Sequence, residues 1–138
     1  MGFESATAFV SVEAIKSFAT QFDPQPFHLD ETAAEGSFFG GLAASGWHTA
    51  AITMRLMVDG AAPVAGGVIG AGVDVNWPMP VRPGDTLRVV STVMEVRKSR
   101  SKPDRGMVFM KSETLNQNDD PVQVMTSRLL VFCRPVSP

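Results

Sequence analysis

Residues 23 to 31 read "DPQPFHLDE", which sets a carboxylate at Asp23 and an imidazole at His28 within a segment carrying two prolines. A carboxylate and an imidazole in one site suit general acid–base chemistry on water, one group taking a proton while the other orients the molecule or returns one. Pro24 and Pro26 fix their own φ and push Asp23 and Gln25 towards extended backbone, so a helix is not expected to present the pair. A fully extended polyproline path would hold Asp23 and His28 about 15 Å apart, too far to share one water. Cooperation therefore requires the loop to bend back. The alternative is a rigid proline turn whose aspartate caps a helix and whose histidine faces solvent.

The flanking sequence indicates which elements must position this loop. Ser11 is a good N-cap for a helix over "VEAIKSFATQF", with Ile15, Phe18, Ala19 and Phe22 at helical spacing and a stop at Asp23-Pro24. Asp30 can cap a second short helix through "ETAAE" to Gly36, and "FFGG" follows as a turn. From Ser45 to Val58 the chain is apolar on nearly every face except at His48, Thr49, Thr53 and Arg55, which predicts a buried helix closed by Asp59-Gly60, with Ala61, Ala62 and Pro63 as a connector. The period then changes to two. Segments 72–77, 85–97, 106–116 and 122–134 read as strands joined antiparallel, separated by "PVRPGD", "KSRSKPDRG" and "NQNDDP". Helices first and strands second, without βαβ alternation, predict an α+β domain whose sheet wraps the long helix.

Composition narrows the function classes. The chain has 138 residues, 44% hydrophobic and 19% charged, a balance that suits one folded domain over residues 1–138. A net charge of −2 and a pI near 5.6 give no reason to expect nucleic acid or an anionic membrane as partner. Cys133 is the single cysteine, so an intrachain disulfide and a Cys/His metal site are both excluded, which fits a reducing cytoplasm. "MGFESATAF" offers no export signal, and the uncharged run 60–73 is short and glycine-rich, so a soluble protein is expected. The glycines of "GGVIGAG" lack the spacing of a dinucleotide loop.

"FDPQPFHLDETAA" resembles the D-x-N-P-x-H-x-D-x-x-x-A signature of the MaoC-like dehydratases, the (R)-specific enoyl-CoA hydratases of hot-dog fold. "VNWPMPVRPGDTL" is similar to the same family's strand-turn-strand segment, and the likeness runs from the first helix to the final strand. The resemblance implies that Asp23 and His28 are the catalytic pair that holds a water, and that the Gly46 N–H, at the start of the central helix, polarises the thioester carbonyl. Such chemistry needs a base for water, a proton for the α-carbon and a donor for an enolate-like oxygen. The substrate implied is an acyl-CoA, trans-2-enoyl-CoA becoming (R)-3-hydroxyacyl-CoA. Coenzyme A is then part of the substrate and no separate cofactor or metal is needed. A homodimer with active sites at its interface is implied as well. Gln25 stands where the family often has Asn, and Ser45-Gly46-Trp47-His48 replaces its usual His-Gly-Met or His-Gly-Leu.

Gln25, Ser45, Trp47 and His48 are therefore expected to shape the loop and the acyl pocket, with His48 and Trp47 equally readable as helix-start and core residues. Arg97, Lys98, Arg100, Lys102 and Arg105 crowd one hairpin and are either a contact for CoA phosphates or solvated surface. The eight methionines read as core filling and Cys133 as buried and inert. An acyl-CoA thioesterase is a rival, but the helix "WHTAAITMRLMV" carries no acid before Asp59. A non-catalytic acyl-thioester-binding protein is another, and the intact Asp23 and His28 count against it.

Overall fold

Ser11 starts the first helix, α1 (Val12–Phe22), its Oγ accepting the Ala14 N–H at 3.0 Å. Asp30 starts α3 (Glu31–Glu35) in the same manner, accepting from Ala33 N–H at 3.0 Å. Caps of this kind contribute about 1 kcal/mol each by satisfying an N–H that the helix leaves open. The structure, a computed structural model, describes residues 2–61, 69–102 and 104–132. The Ala62-Pro63 connector, the first glycines of "GGVIGAG", Pro103, Cys133 and Arg134 lie outside the described residues.

Between the two capped helices lies a short helix, α2 (Pro26–Leu29), which carries His28. This corrects the expectation that the prolines bar helical presentation. Pro26 occupies the first turn, where a missing N–H costs nothing and φ is already helical, while Pro24 keeps the preceding residues extended. One helical turn folds the chain back, and His28 comes to face Asp23.

The central helix, α4 (Gly46–Leu56), continues as a wider turn over Met57–Ala61. Four strands follow: β2 (Ile69–Asn76), β3 (Thr86–Lys98), β4 (Arg105–Leu115) and β5 (Pro121–Phe132). A further strand, β1 (Gly2–Phe9), precedes α1 and had no counterpart in the sequence reading. The five form one antiparallel sheet in the order β1-β3-β4-β5-β2, curled around α4 in the hot-dog arrangement. Arg82, Pro83, Gly84 and Asp85 make the tight turn into β3. Asp85 N–H bonds to Arg82 C=O at 3.1 Å, and Gly84 sits at φ +89°, a conformation that favours glycine at this position of a turn.

The core has two apolar clusters. One gathers Val10, Ile15, Ala34, Leu42, Val81 and Leu87 beneath α1 and α3; the other gathers Leu56, Met57, Val89, Met110, Met125 and Leu129 between the end of α4 and the sheet. A buried polar layer lies along α4, which corrects the picture of an all-round apolar helix. Thr49 and Thr53 face inward, whereas Trp47 (62% exposed) and Val58 of the following turn (64%) face outward. The layer is tolerated because it is hydrogen-bonded. Thr53 Oγ1 donates to Thr49 C=O at 2.9 Å, shares a 2.6 Å bond with Thr114 Oγ1 and accepts from Gln123 Nε2 at 3.2 Å.

Candidate active site

Asp23 is the C-cap of α1, with its N–H bonded to Ala19 C=O at 2.9 Å, and this fixes where the helix delivers its carboxylate. Oδ2 lies 3.3 Å from His28 Nε2, and Gln25 Nε2 donates to Oδ1. Burial alone raises the pKa of this carboxyl. The hydrogen bonds of Gln25 and Ser45 and the charge of His28 outweigh it and hold Asp23 below the ordinary aspartate value. The pair is sheltered, with 18% of the Asp23 side chain and 5% of the His28 side chain exposed.

His28 is oriented from its other nitrogen. Nδ1 lies 2.6 Å from the Ala43 carbonyl oxygen, which can only accept, so Nδ1 carries the proton. Nε2 is left with its lone pair towards Asp23 whenever the ring is neutral. Ala43 is itself held by its N–H to Phe27 C=O at 3.2 Å, and Ala44 by its N–H to Val81 C=O at 2.9 Å. The imidazole packs edge-on to Phe27 at 4.6 Å and tilted against Phe39 at 6.0 Å. Apolar rings thus surround one side of a polar pair.

Ser45 caps α4 through Oγ, which accepts Trp47 N–H at 3.3 Å while its hydroxyl also acts on Asp23. Gly46 follows as the first helical residue, so its N–H is one of those a helix leaves without an intrahelical partner, at the end where the dipole favours negative charge. Glycine is required there. A Cβ would sit 2.7 to 2.9 Å from three atoms of the Trp77 ring.

Beside His28 and Gly46 opens a cavity of about 560 Å³ whose walls include Phe39, Thr49, Trp77 and Val81. The structure therefore brings Asp23, Gln25 and His28 together, with Ser45 acting on Asp23 and Gly46 following it in the chain, and sets His28 and Gly46 on the cavity wall. It does not bring Trp47 or His48 to that wall. Trp47 is on the outer side of α4, edge-on to Trp77 at 5.4 Å, and His48 is buried and stacked on Phe18 at 4.8 Å. Burial lowers the His48 pKa, and its Nδ1 has no hydrogen-bond partner among the described residues.

Sequence reasoning gave no site role to most of the wall, Trp77 and Arg82 among them. Trp77 was read as the end of a strand that stops at Asn76, and Arg82 as part of a turn. The Arg82 guanidinium donates to Phe39 C=O, to Gly41 C=O at 2.8 Å and to Leu42 C=O at 3.3 Å, so it clamps the "FFGG" loop over His28. No local pattern announces either role, because both depend on contacts more than 30 residues away in the chain.

The basic hairpin residues are absent from the cavity wall. Arg97 pairs with Glu95 at 2.7 Å and lies over Phe109, and Arg105 pairs with Asp104 at 3.2 Å. Asp59 is exposed and paired with Arg55 at 2.7 Å. Among the described residues no three His, Cys, Asp or Glu side chains converge as a metal site, and no helix is long and apolar enough to cross a membrane.

Comparison with known proteins gives three kinds of likeness. Residues 3–114 match the MaoC like domain family. A crystal structure of a MaoC-like dehydratase from Rhodospirillum rubrum is 57% identical, with a TM-score of 0.96 over 99% of this chain and 93% of that one. An uncharacterised Bacillus subtilis protein, YdeM, is 32% identical over 96% of this chain and 92% of its own length. The (R)-hydratase PhaJ1 from Pseudomonas aeruginosa, at 23% identity and a TM-score of 0.72 over 100% of this chain and 88% of that one, shares the fold.

Proposed function

The chain belongs to the MaoC-like domain family, and on that premise we propose that it catalyses reversible hydration of trans-2-enoyl-CoA to (R)-3-hydroxyacyl-CoA. The observation that carries this reading is the Asp23–His28 pair, 3.3 Å apart with Nδ1 of His28 committed to Ala43. Ionised Asp23 and neutral Nε2 are both acceptors. One water beside them satisfies both by donating an O–H to each, which leaves its lone pairs free to attack.

In the forward direction the water oxygen bonds to the β-carbon and a proton passes to Asp23, with His28 orienting the water and taking part in the transfer. The π electrons move towards the α-carbon and the thioester oxygen, where the Gly46 N–H stabilises the developing charge. The α-carbon then takes a proton from the Asp23–His28 pair, which returns the pair to its starting state, and dehydration runs the same steps backwards. Coenzyme A arrives as part of the substrate, and these steps call for no separate cofactor.

The working form in this reading is a homodimer. Support comes from the exposed Trp47 and Val58, from Ile69 and Val73 half or more exposed on β2, and from the position of β2 at the sheet edge, where backbone groups await a partner strand.

The test is to mix the protein with crotonyl-CoA and follow the conjugated absorbance and free thiol separately. Absorbance loss without thiol is the expected result. Thiol release would instead make it a thioesterase, and neither signal with this or a longer enoyl-CoA would leave an acyl-thioester-binding protein.

A further inference from the structure

We propose that Trp77 sets the length of acyl group this site accepts, and that the site is built for short 2-enoyl chains of about four to six carbons. The inference rests on the hydratase reading and concerns which substrates that reaction takes.

Trp77 is held at three points. Its ring lies across Gly46 so closely that even a methyl group there would collide with it, and its edge meets Trp47 at 5.4 Å with the planes 80° apart. Its Nε1–H donates to Gln123 Oε1 at 2.9 Å. Gln123 is fully buried on β5 and is fixed in turn, since its Nε2 donates to Thr53 Oγ1 at 3.2 Å. Trp77 is thus the end of a hydrogen-bonded chain that runs through the sheet to the inner side of α4, and its indole cannot swing aside without breaking that chain.

This arrangement decides how far an acyl tail can reach. A thioester whose carbonyl meets the Gly46 N–H has its β-carbon near His28, and both residues share their cavity with Trp77. A tail continuing along α4 meets the indole first. Behind the indole it meets the amide of Gln123 and the hydroxyls of Thr53 and Thr114 in place of an apolar tunnel, and beyond these the cluster around Leu56, Met110 and Met125 is already packed. Hydrocarbon entering that layer would leave the Gln123 oxygen buried and unpaired, which proteins avoid. A short chain needs no room behind the indole and leaves the bond between Trp77 and Gln123 in place.

The experiment measures kcat/KM for hydration of crotonyl-CoA, 2-hexenoyl-CoA and 2-dodecenoyl-CoA by the full chain, by Trp77→Ala and by Trp77→Phe. In the unmodified protein the dodecenoyl substrate should be poorer than crotonyl by roughly a hundredfold, with most of the loss in KM. Trp77→Ala should shift the dodecenoyl-to-crotonyl ratio upwards by at least about tenfold. Trp77→Phe keeps a ring against Gly46 but frees it from Gln123, so it should fold even if the alanine variant does not, and should shift the ratio in the same direction by less. A flat profile in the unmodified protein, or variants that change all three substrates by the same factor, would overturn the inference while leaving a hydratase. No hydration of any chain length by the unmodified protein would overturn the hydratase reading and this inference with it.

Discussion

His28 gives its Nδ1–H to the Ala43 carbonyl at 2.6 Å and thereby turns Nε2 towards Asp23 Oδ2, 3.3 Å away. A backbone carbonyl between α3 and α4 thus chooses the tautomer of a histidine on α2, and the tautomer decides that the site faces water with acceptors. In neutral His28 the proton therefore resides on Nδ1. Nitrogen-15 NMR of the imidazole checks this directly, and an Nε2–H tautomer would contradict it.

Burial of His48 makes the fold sensitive to acid, beginning below the ordinary histidine value. Burial lowers its pKa from 6.5, so below that value the unfolded chain takes up a proton that the folded chain refuses. Its contribution is intact above pH 6.5 and is lost as pH falls from there towards the folded value. Denaturant unfolding of the unmodified protein should show stability declining over that window, and His48→Leu should flatten the decline. Parallel curves for the two proteins would contradict the assignment.

Gly46 and Trp77 should be energetically coupled. Gly46→Ala places a methyl group 2.7 Å from the indole and should destabilise by about 1–3 kcal/mol. Because the obstacle is Trp77, the same substitution should cost less by at least about 0.5 kcal/mol in a Trp77→Ala background. Additive costs in a double-mutant cycle would show that the two do not meet.

Arg82→Lys keeps the charge but cannot span three carbonyls with a planar fork. The half-buried oxygens of Phe39, Gly41 and Leu42 lose their donors, and the expected cost is about 1–2 kcal/mol in stability. Hydrogen exchange should accelerate across residues 37–42, where Phe39 covers His28. Unchanged exchange there would mean that the loop is held by something else.

Much of this was legible in the sequence because it is local. Ser11 and Asp30 announce helix starts by their side-chain chemistry, and the strands after residue 69 announce themselves by alternation and turn residues. Strand β1 escaped notice because "GFESATAF" is an edge segment paired on one side only, with no fully buried residue and no clean alternation of apolar and polar side chains to mark it. Helix α2 escaped because two prolines in four residues read as extended chain, although Pro26 sits at the one helical position that suits it. The inward polar face of α4 was unreadable for a different reason. Thr53 is acceptable inside only because Thr114 and Gln123 reach it from 61 and 70 residues away. The same non-local logic hid Trp77 and Arg82, while Asp23 and His28, singled out by their motif, lie 3.3 Å apart, and His28 shares a cavity wall with Gly46.

The most direct test of the central claim is a kinetic cycle on enoyl-CoA hydration with Asp23→Asn, His28→Ala and the double variant, each checked for folding. If the two side chains act on one water, each single change should lower kcat/KM by about 10²–10⁴-fold, and the double variant should be little worse than the poorer single one, because a pair that works as a unit is lost once. Near-full activity in both single variants, or losses that multiply in the double variant, would contradict a shared water between Asp23 and His28.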